Sequence, residues 1–281
     1  MSRRVILGVI VAMLFVWTSS FAFQRGFGGR SRGPFGGRDG GDPPLPADAN
    51  EKTEWAFARL RYPQWGSGGG GGYYRRQSWQ TDYPKADRQF VQGVRRLSRV
   101  NAKSIEQVID PESVELFNWP WVYAVEVGHW ELTEKQCKNL REYFDRGGFL
   151  MVDDFHGTEE WEIFMASMTR IFPELNQPGG TRTVVDLENK DAIFHIIYDL
   201  DNRFQVPGTV NYPFTKTYEF DGYEAKWRGI YDDKHRLIVA ICHNMDLGDA
   251  WEWADSPHYP EKFTSLAYRI GINYIVYSMT H

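Results

Sequence analysis

The chain has 281 residues, with 32 Lys+Arg against 37 Asp+Glu, two cysteines and 16% aromatic residues. At 42% hydrophobic and 25% charged it has the composition of a globular protein with room for one large domain or two small ones. Two thiols exclude a disulfide-dense scaffold and a four-thiolate zinc site, and a pI near 5.8 argues against a protein that coats nucleic acid.

Residues 1–22 read as an export signal. Arg3 and Arg4 form a positive start, residues 5–17 are uncharged, and Ser20 and Ala22 give the small-residue spacing of a cleavage site. The stretch is short for a membrane span, so the mature chain is expected to carry none and to work in the periplasm or outside the cell. Residues 23–51, rich in Gly, Arg and Pro, read as a disordered linker. Residues 23–46 carry a net charge of +2 and residues 47–281 a net −9, an acidic body that disfavours anionic lipid. The glycine run at 66–72 lacks a following Lys-Ser/Thr and is not a phosphate-binding loop.

From residue 54 the pattern alternates between strands and helices. Residues 55–62 (WAFARLRY) alternate as a strand, and apolar residues at 86, 90, 94 and 97 predict a helix over 85–100. Residues 121–127 (WVYAVEV) form a short apolar run, a buried strand. Thr133 and Gln136 make a capping box, with Leu132 and Cys137 as its hydrophobic staple and Gly147 as the stop. Residues 149–153 (FLMVD) are the next strand, and Thr158 is expected to cap a helix that ends before Pro173. Residues 225–231 and 236–242 flank a turn and read as a hairpin, and residues 260–277 close the chain as a helix. Strand and capped helix in alternation predict one α/β domain over 52–281 with right-handed crossovers and a mainly parallel sheet.

Several segments together resemble a known family: FARLRY (57–62), WQTDYPKAD (79–87), LFNWPWVY (116–123), LREYFDRGGFLMVDDFHG (140–157), ICHNMDLGDAWE (241–252) and IGINYIVY (270–277). In this order they resemble the bacterial domain of unknown function 4159 family over about residues 54–280. The resemblance implies a flavodoxin-like three-layer sandwich of the class I glutamine-amidotransferase-like group, with a late hairpin and a C-terminal helix. It implies no activity. The G-x-C-x-G elbow of the amidotransferases is absent, so their chemistry is not carried over.

Ligands of open parallel sheets gather at the carboxyl ends of strands. Here four such ends finish in polar groups: Arg61 and Tyr62; Glu126, His129 and Glu131; Asp153, Asp154 and His156; and His243, Asn244, Asp246 and Asp249. Strand alternation would turn Asp153 and Asp154 to opposite faces, leaving one carboxylate and His156 in a given crevice. The catalytic candidates are Asp154 as a base, with His129 or His156 as an acid. The ligand-binding candidates are Arg61, Tyr62, Asn244 and Asp246, with Trp251 on the rim beside Asp246. Against these readings, strand-end aspartates often serve local caps and turns. A His129, His156 and carboxylate set could face a metal, but no H-x-H or H-x-x-x-H spacing supports it, so no metal ligand is assigned and the cofactor is left open. Cys137 and Cys242 read as buried and free. The leading expectation is an envelope domain binding a small polar ligand, a glycan or a protein partner, without nucleic acid. The competing one is a hydrolase or sugar-modifying enzyme, with metal assistance as one variant. A purely structural envelope component that docks to a larger membrane partner is the third.

Overall fold

The computed structural model describes residues 45–64 and 77–281. The expected export signal, the linker up to residue 44 and the glycine run lie outside the described residues. Residues 47–50, expected to be linker, form a turn in which Ala49 is buried and Asp48 accepts a bond from Arg95 at 2.6 Å.

Among the described residues seven strands form one sheet in the order β2-β1-β3-β4-β7-β6-β5. They are β1 (Ala58–Leu60), β2 (Gln107–Ile109), β3 (Trp121–Val125), β4 (Phe149–Asp153), β5 (Val184–Asp186), β6 (Lys226–Tyr231) and β7 (Leu237–His243). β1 pairs in parallel with β2 and with β3, β3 with β4, and β4 with β7, while β6 and β5 add an antiparallel edge. β3, β4 and β7 are buried along their whole length, which is why they read as unbroken apolar runs. This is a mixed α/β sandwich of the flavodoxin-like kind. The order reverses between β1 and β3, and such a reversal opens a crevice above the carboxyl ends of the two strands.

Among the described residues five α-helices cover the sheet: α1 (Lys85–Leu97), α2 (Glu134–Asp145), α3 (Gly157–Ile171), α4 (Leu247–Glu252) and α5 (Glu261–Thr280). On one face Leu140, Phe144, Phe164 and Met168 of α2 and α3 pack with Val122, Ala124, Leu150 and Val152 of the sheet. On the other, Phe90 of α1 stacks on Trp251 of α4, and both meet Phe57 just before β1. The capping box of α2 is present: Gln136 N donates to Thr133 Oγ1 at 3.1 Å, and Thr133 N donates to Gln136 Oε1 at 2.9 Å. None of the helices among the described residues is long and apolar enough to cross a membrane.

Three local expectations shift. β1 is shorter than 55–62, because Trp55 makes only an isolated bridge to Ala102. α1 ends at Leu97 because Ser98 turns extended and its hydroxyl donates to the Val94 carbonyl at 2.7 Å. The cap of α3 is His156 rather than Thr158, whose own N–H is inside the first turn and donates to Asp221 Oδ1 at 2.8 Å.

Candidate functional site: an acidic crevice at the carboxyl edge of the sheet

The crevice is built by a backbone device that recurs. Asp82, Glu126, Asp154 and Asn244 all have left-handed backbone, at φ +61°, +54°, +53° and +65°. Glu126 follows β3, Asp154 follows β4 and Asn244 follows β7, so three adjacent strands stop in the same manner. Such conformations are uncommon for residues with a Cβ and concentrate at functional sites. Their effect at β4 is specific. Asp153 ends the strand, and the reversal at Asp154 breaks the alternation that would have sent its side chain to the opposite face.

Asp153 is fully buried, and its Oδ2 accepts from Tyr123 Oη at 3.2 Å, Leu247 N at 2.8 Å and Gly248 N at 3.0 Å. It thereby fixes the start of α4. Asp246 caps that helix, with Oδ1 accepting from Asp249 N at 2.6 Å. Asp249 in turn accepts from Thr209 Oγ1 at 2.8 Å and Trp253 Nε1 at 3.0 Å. Gly208 closes over this corner: a Cβ there would sit 2.6 Å from Asp246 Oδ2, so no side chain fits.

Asp82 arrives from the other side of the reversal point. Arg59, wholly buried on β1, donates from Nε to Asp87 Oδ2 at 2.8 Å and from Nη1 to the carbonyls of Trp79 at 3.1 Å and Thr81 at 3.0 Å. The guanidinium therefore pins the loop whose next residue is Asp82. One carboxylate oxygen each from Asp82, Asp154 and Asp246 lies within 4.8 Å of the others, and all three residues are buried. A second set, Asp82, Asp249 and Glu252, shares Asp82.

The electrostatics follow from this crowding. Burial, then the charges of Glu126, Asp82, Asp153 and Asp249, hold the Asp154 carboxyl well above the usual range. Burial and then Asp154, Asp249 and Asp82 do the same to Asp246. Burial raises Asp153 to about 7 in spite of its three donors. Glu219, on the loop before β6, is raised to about 7 by burial and by Glu126, Glu160 and Asp249. Asp154 and Asp246 form no ion pair with Lys or Arg among the described residues.

The histidines divide. His156 is buried, 3.2 Å from Asp154 Oδ1 and 3.9 Å from Glu219 Oε1, and burial lowers its pKa to about 3. It is a neutral ring near neutral pH, a hydrogen-bond donor through one nitrogen rather than an imidazolium. His129 is 43% exposed and bridges Glu126 Oε2 at 3.2 Å and Glu160 Oε1 at 3.4 Å. It does not join His156 in a common ligand set, and neither carboxylate triplet contains a histidine. His243 donates from Nε2 to the Gly157 carbonyl at 3.0 Å between the rings of Phe155 and Trp161, and burial lowers it to about 4.

Of the residues picked as ligand-binding, Asp246 lies in the crevice. Tyr62 packs beneath it, its hydroxyl donating to the carbonyls of Val125 and Glu126. Asn244 is a clip: its Oδ1 accepts from Gly157 N and its Nδ2 donates to the Glu224 carbonyl, both at 2.8 Å. Arg61 turns to the β2 side, 3.6 Å from Asp110. Trp251 has no exposed surface and belongs to the aromatic core rather than the rim. Sequence reasoning passed over Asp82, Glu160 and Glu219. Asp82 had one visible signal, an aspartate directly before Tyr83-Pro84 and the start of α1. Cys137 and Cys242 are free and buried.

A seven-stranded, mostly parallel sheet with a carboxylate-lined crevice at its point of reversal defines the class. A family model matches residues 56–279, and the chain belongs to that family, described as a domain of unknown function (DUF4159). No curated protein matches the chain.

Proposed function

We propose that the chain is an exported cell-envelope domain that binds a ligand through a hard divalent cation held by Asp82, Asp154 and Asp246. The observation that carries this reading is the approach of three buried carboxylate oxygens to within 4.8 Å of one another. Two full charges at that separation repel by about 3.5 kcal/mol at an effective dielectric of about 20. The cluster must either stay protonated or hold a cation. Oxygens that ligate Ca²⁺ or Mg²⁺ lie about 2.0–2.6 Å from the ion, so three of them within 5 Å of one another fit around one centre. An all-oxygen donor set favours Mg²⁺, Ca²⁺ or Mn²⁺ over zinc. Export is supported by the composition of residues 1–22 alone.

The test is titration with Ca²⁺, Mg²⁺ and Mn²⁺ by calorimetry, and with Tb³⁺ by luminescence, on the wild type and on Asp154→Asn and Asp246→Asn. The wild type should bind with Kd no weaker than about 1 mM, the weak end for extracellular calcium modules. Each variant should lose about tenfold or more, the effect of about 1.4 kcal/mol. Wild-type protein that binds none of these ions ends the reading.

A hydrolytic or sugar-modifying activity is the second reading. What favours it is His129, half-exposed at the mouth and held by two glutamates, in a position to exchange a proton with a bound molecule.

A further inference from the structure

The loop between residues 208 and 224 meets the site at Gly208 against Asp246 and Asp249, at Glu219 near His156 and at Gly222 against Asn244, and it exposes large apolar side chains. Val210, Tyr212, Phe220 and Tyr223 are all exposed, Phe220 at 70%. Scattered exposed apolar residues are ordinary, but Phe220 is held in an unusual way. Its φ is +47°, left-handed backbone that a bulky residue adopts only against a cost of about 1–3 kcal/mol. Both neighbours are anchored. Glu219 reaches into the crevice to within 3.9 Å of His156 Nε2, and Asp221 takes the Thr158 N–H at the start of α3. Gly157 makes room for the turn, since a Cβ there would come within 3.2 Å of Phe220 Cβ and 2.2 Å of Asp221 Oδ1. Gln205 ties the loop down from behind, donating to the carbonyls of Gly222 at 2.9 Å and Asn244 at 2.7 Å. The backbone of Phe220 is thus anchored on both sides and its ring is left in solvent one residue from Glu219, although burying it would stabilise the fold.

We infer that Phe220 is the aromatic platform of a ligand subsite beside the cation, and that its ligand is a neutral ring bearing vicinal hydroxyls, a pyranose in the simplest case. The inference rests on the cation reading above. Charge selects the occupant. The floor and mouth carry Asp82, Glu126, Asp154, Glu160, Glu219 and Asp246, with Lys216 beside Glu219 as the ammonium at this rim. An anionic ligand meets net repulsion here, whereas hydroxyl groups donate to carboxylates. A hard cation held by three protein oxygens keeps coordination positions for further oxygen ligands, which a vicinal diol supplies as a pair. The C–H face of the same ring then lies on Phe220, an apolar contact on an aromatic surface.

The probes are the methyl glycosides of glucose, galactose, mannose and N-acetylglucosamine, studied by saturation-transfer NMR on the full-length protein with Ca²⁺. Glycerol serves as a diol without a ring face. At least one glycoside should bind through its ring C–H protons and be lost on adding EDTA. Phe220→Ala should weaken it about fivefold, the effect of about 1 kcal/mol from an aromatic contact, and Phe220→Trp should restore it. Equal binding by Phe220→Ala, equal binding of glycerol, or no glycoside bound by a wild type that binds Tb³⁺ each overturns the subsite and leaves the cation reading standing. A wild type that fails to bind Tb³⁺ overturns both.

Discussion

Raising the pH of the cation-free protein from 6.5 to 8.5 should destabilise it, and the structure sets the sign and the size. A carboxyl whose folded pKa lies above its unfolded value binds more protons in the folded state. Its contribution is therefore full below the unfolded pKa and is lost as the pH rises through the folded one. Asp153 and Glu219, raised to about 7, and Asp154 and Asp246, held well above the usual range, all act in this direction. The buried histidines act the other way. His156 and His243, lowered to about 3 and about 4, add stability as the pH climbs through the unfolded value near 6.5, including about 0.4 kcal/mol each between pH 6.5 and 8.5. The two effects oppose each other between about pH 4 and 7.5, and only the carboxyl effect survives above that window.

A group with a folded pKa of about 7 loses about 0.8 kcal/mol between pH 6.5 and 8.5, so Asp153 and Glu219 together account for about 1.6 kcal/mol, the two histidines return about half of it, and Asp154 and Asp246 add to the loss. For a domain of this size the net of about 1 kcal/mol corresponds to a fall in Tm of at least about 2–4 °C. Differential scanning calorimetry in EDTA at pH 6.5, 7.5 and 8.5 reads it directly. Asp154→Asn should flatten the decline, because it removes one of the repelling charges. Excess Ca²⁺ should reverse it in the wild type, since ionised carboxylates bind the ion better as the pH rises. A cation-free wild type whose Tm is level or rising over this range would refute the argument that these carboxyls are crowded and uncompensated.

Two further outcomes follow from named contacts. Arg59→Met leaves Asp87 buried without its partner, so it should cost about 3–5 kcal/mol in denaturant unfolding and weaken cation binding through the freed Asp82 loop, while Arg59→Met/Asp87→Leu should recover much of the stability. If the domain is an enzyme, His129→Gln should lower turnover of whatever chromogenic glycoside the wild type cleaves by about 10²–10⁴-fold with Tb³⁺ binding intact, and a wild type that cleaves none removes the enzymatic reading.

The framework was legible because it is written in local chemistry. The capping box at Thr133, the runs at 121–125 and 149–153, and the turn between β6 and β7 each depend on near neighbours in sequence. β2 and β5 were not legible, being three-residue edge strands specified by their partners rather than by their own pattern. At the site, the sequence pointed to strand ends and so to Asp154, Asp246 and Glu126, but it could not supply direction. Arg59, on β1, and Arg61, just past its end, are two residues apart, and the sequence favoured the exposed one. The buried one orders the loop that carries Asp82. Trp251 looked like a rim aromatic because it follows a polar stretch, yet α4 turns it inward onto Phe90.

The left-handed residues explain why this crevice exists at all. A strand that keeps its alternation can send only every second side chain towards one mouth. A reversal at the last residue escapes that limit, and Asp and Asn tolerate it better than most residues, which fits their presence at 82, 154 and 244. Glu126 has no such tolerance, and its conformation is held by the loop hydrogen bond from His129 N to its carbonyl at 3.0 Å. Strained backbone and mutually repelling carboxyls both lower the stability of the empty fold, and both fall on Asp82 and Asp154 of the same carboxylate cluster. Selection for folding alone would relax either one, with Asn for Asp at 154 or Gly for Glu at 126. Their coincidence is the arrangement expected of a site whose compensating charge comes from outside the chain.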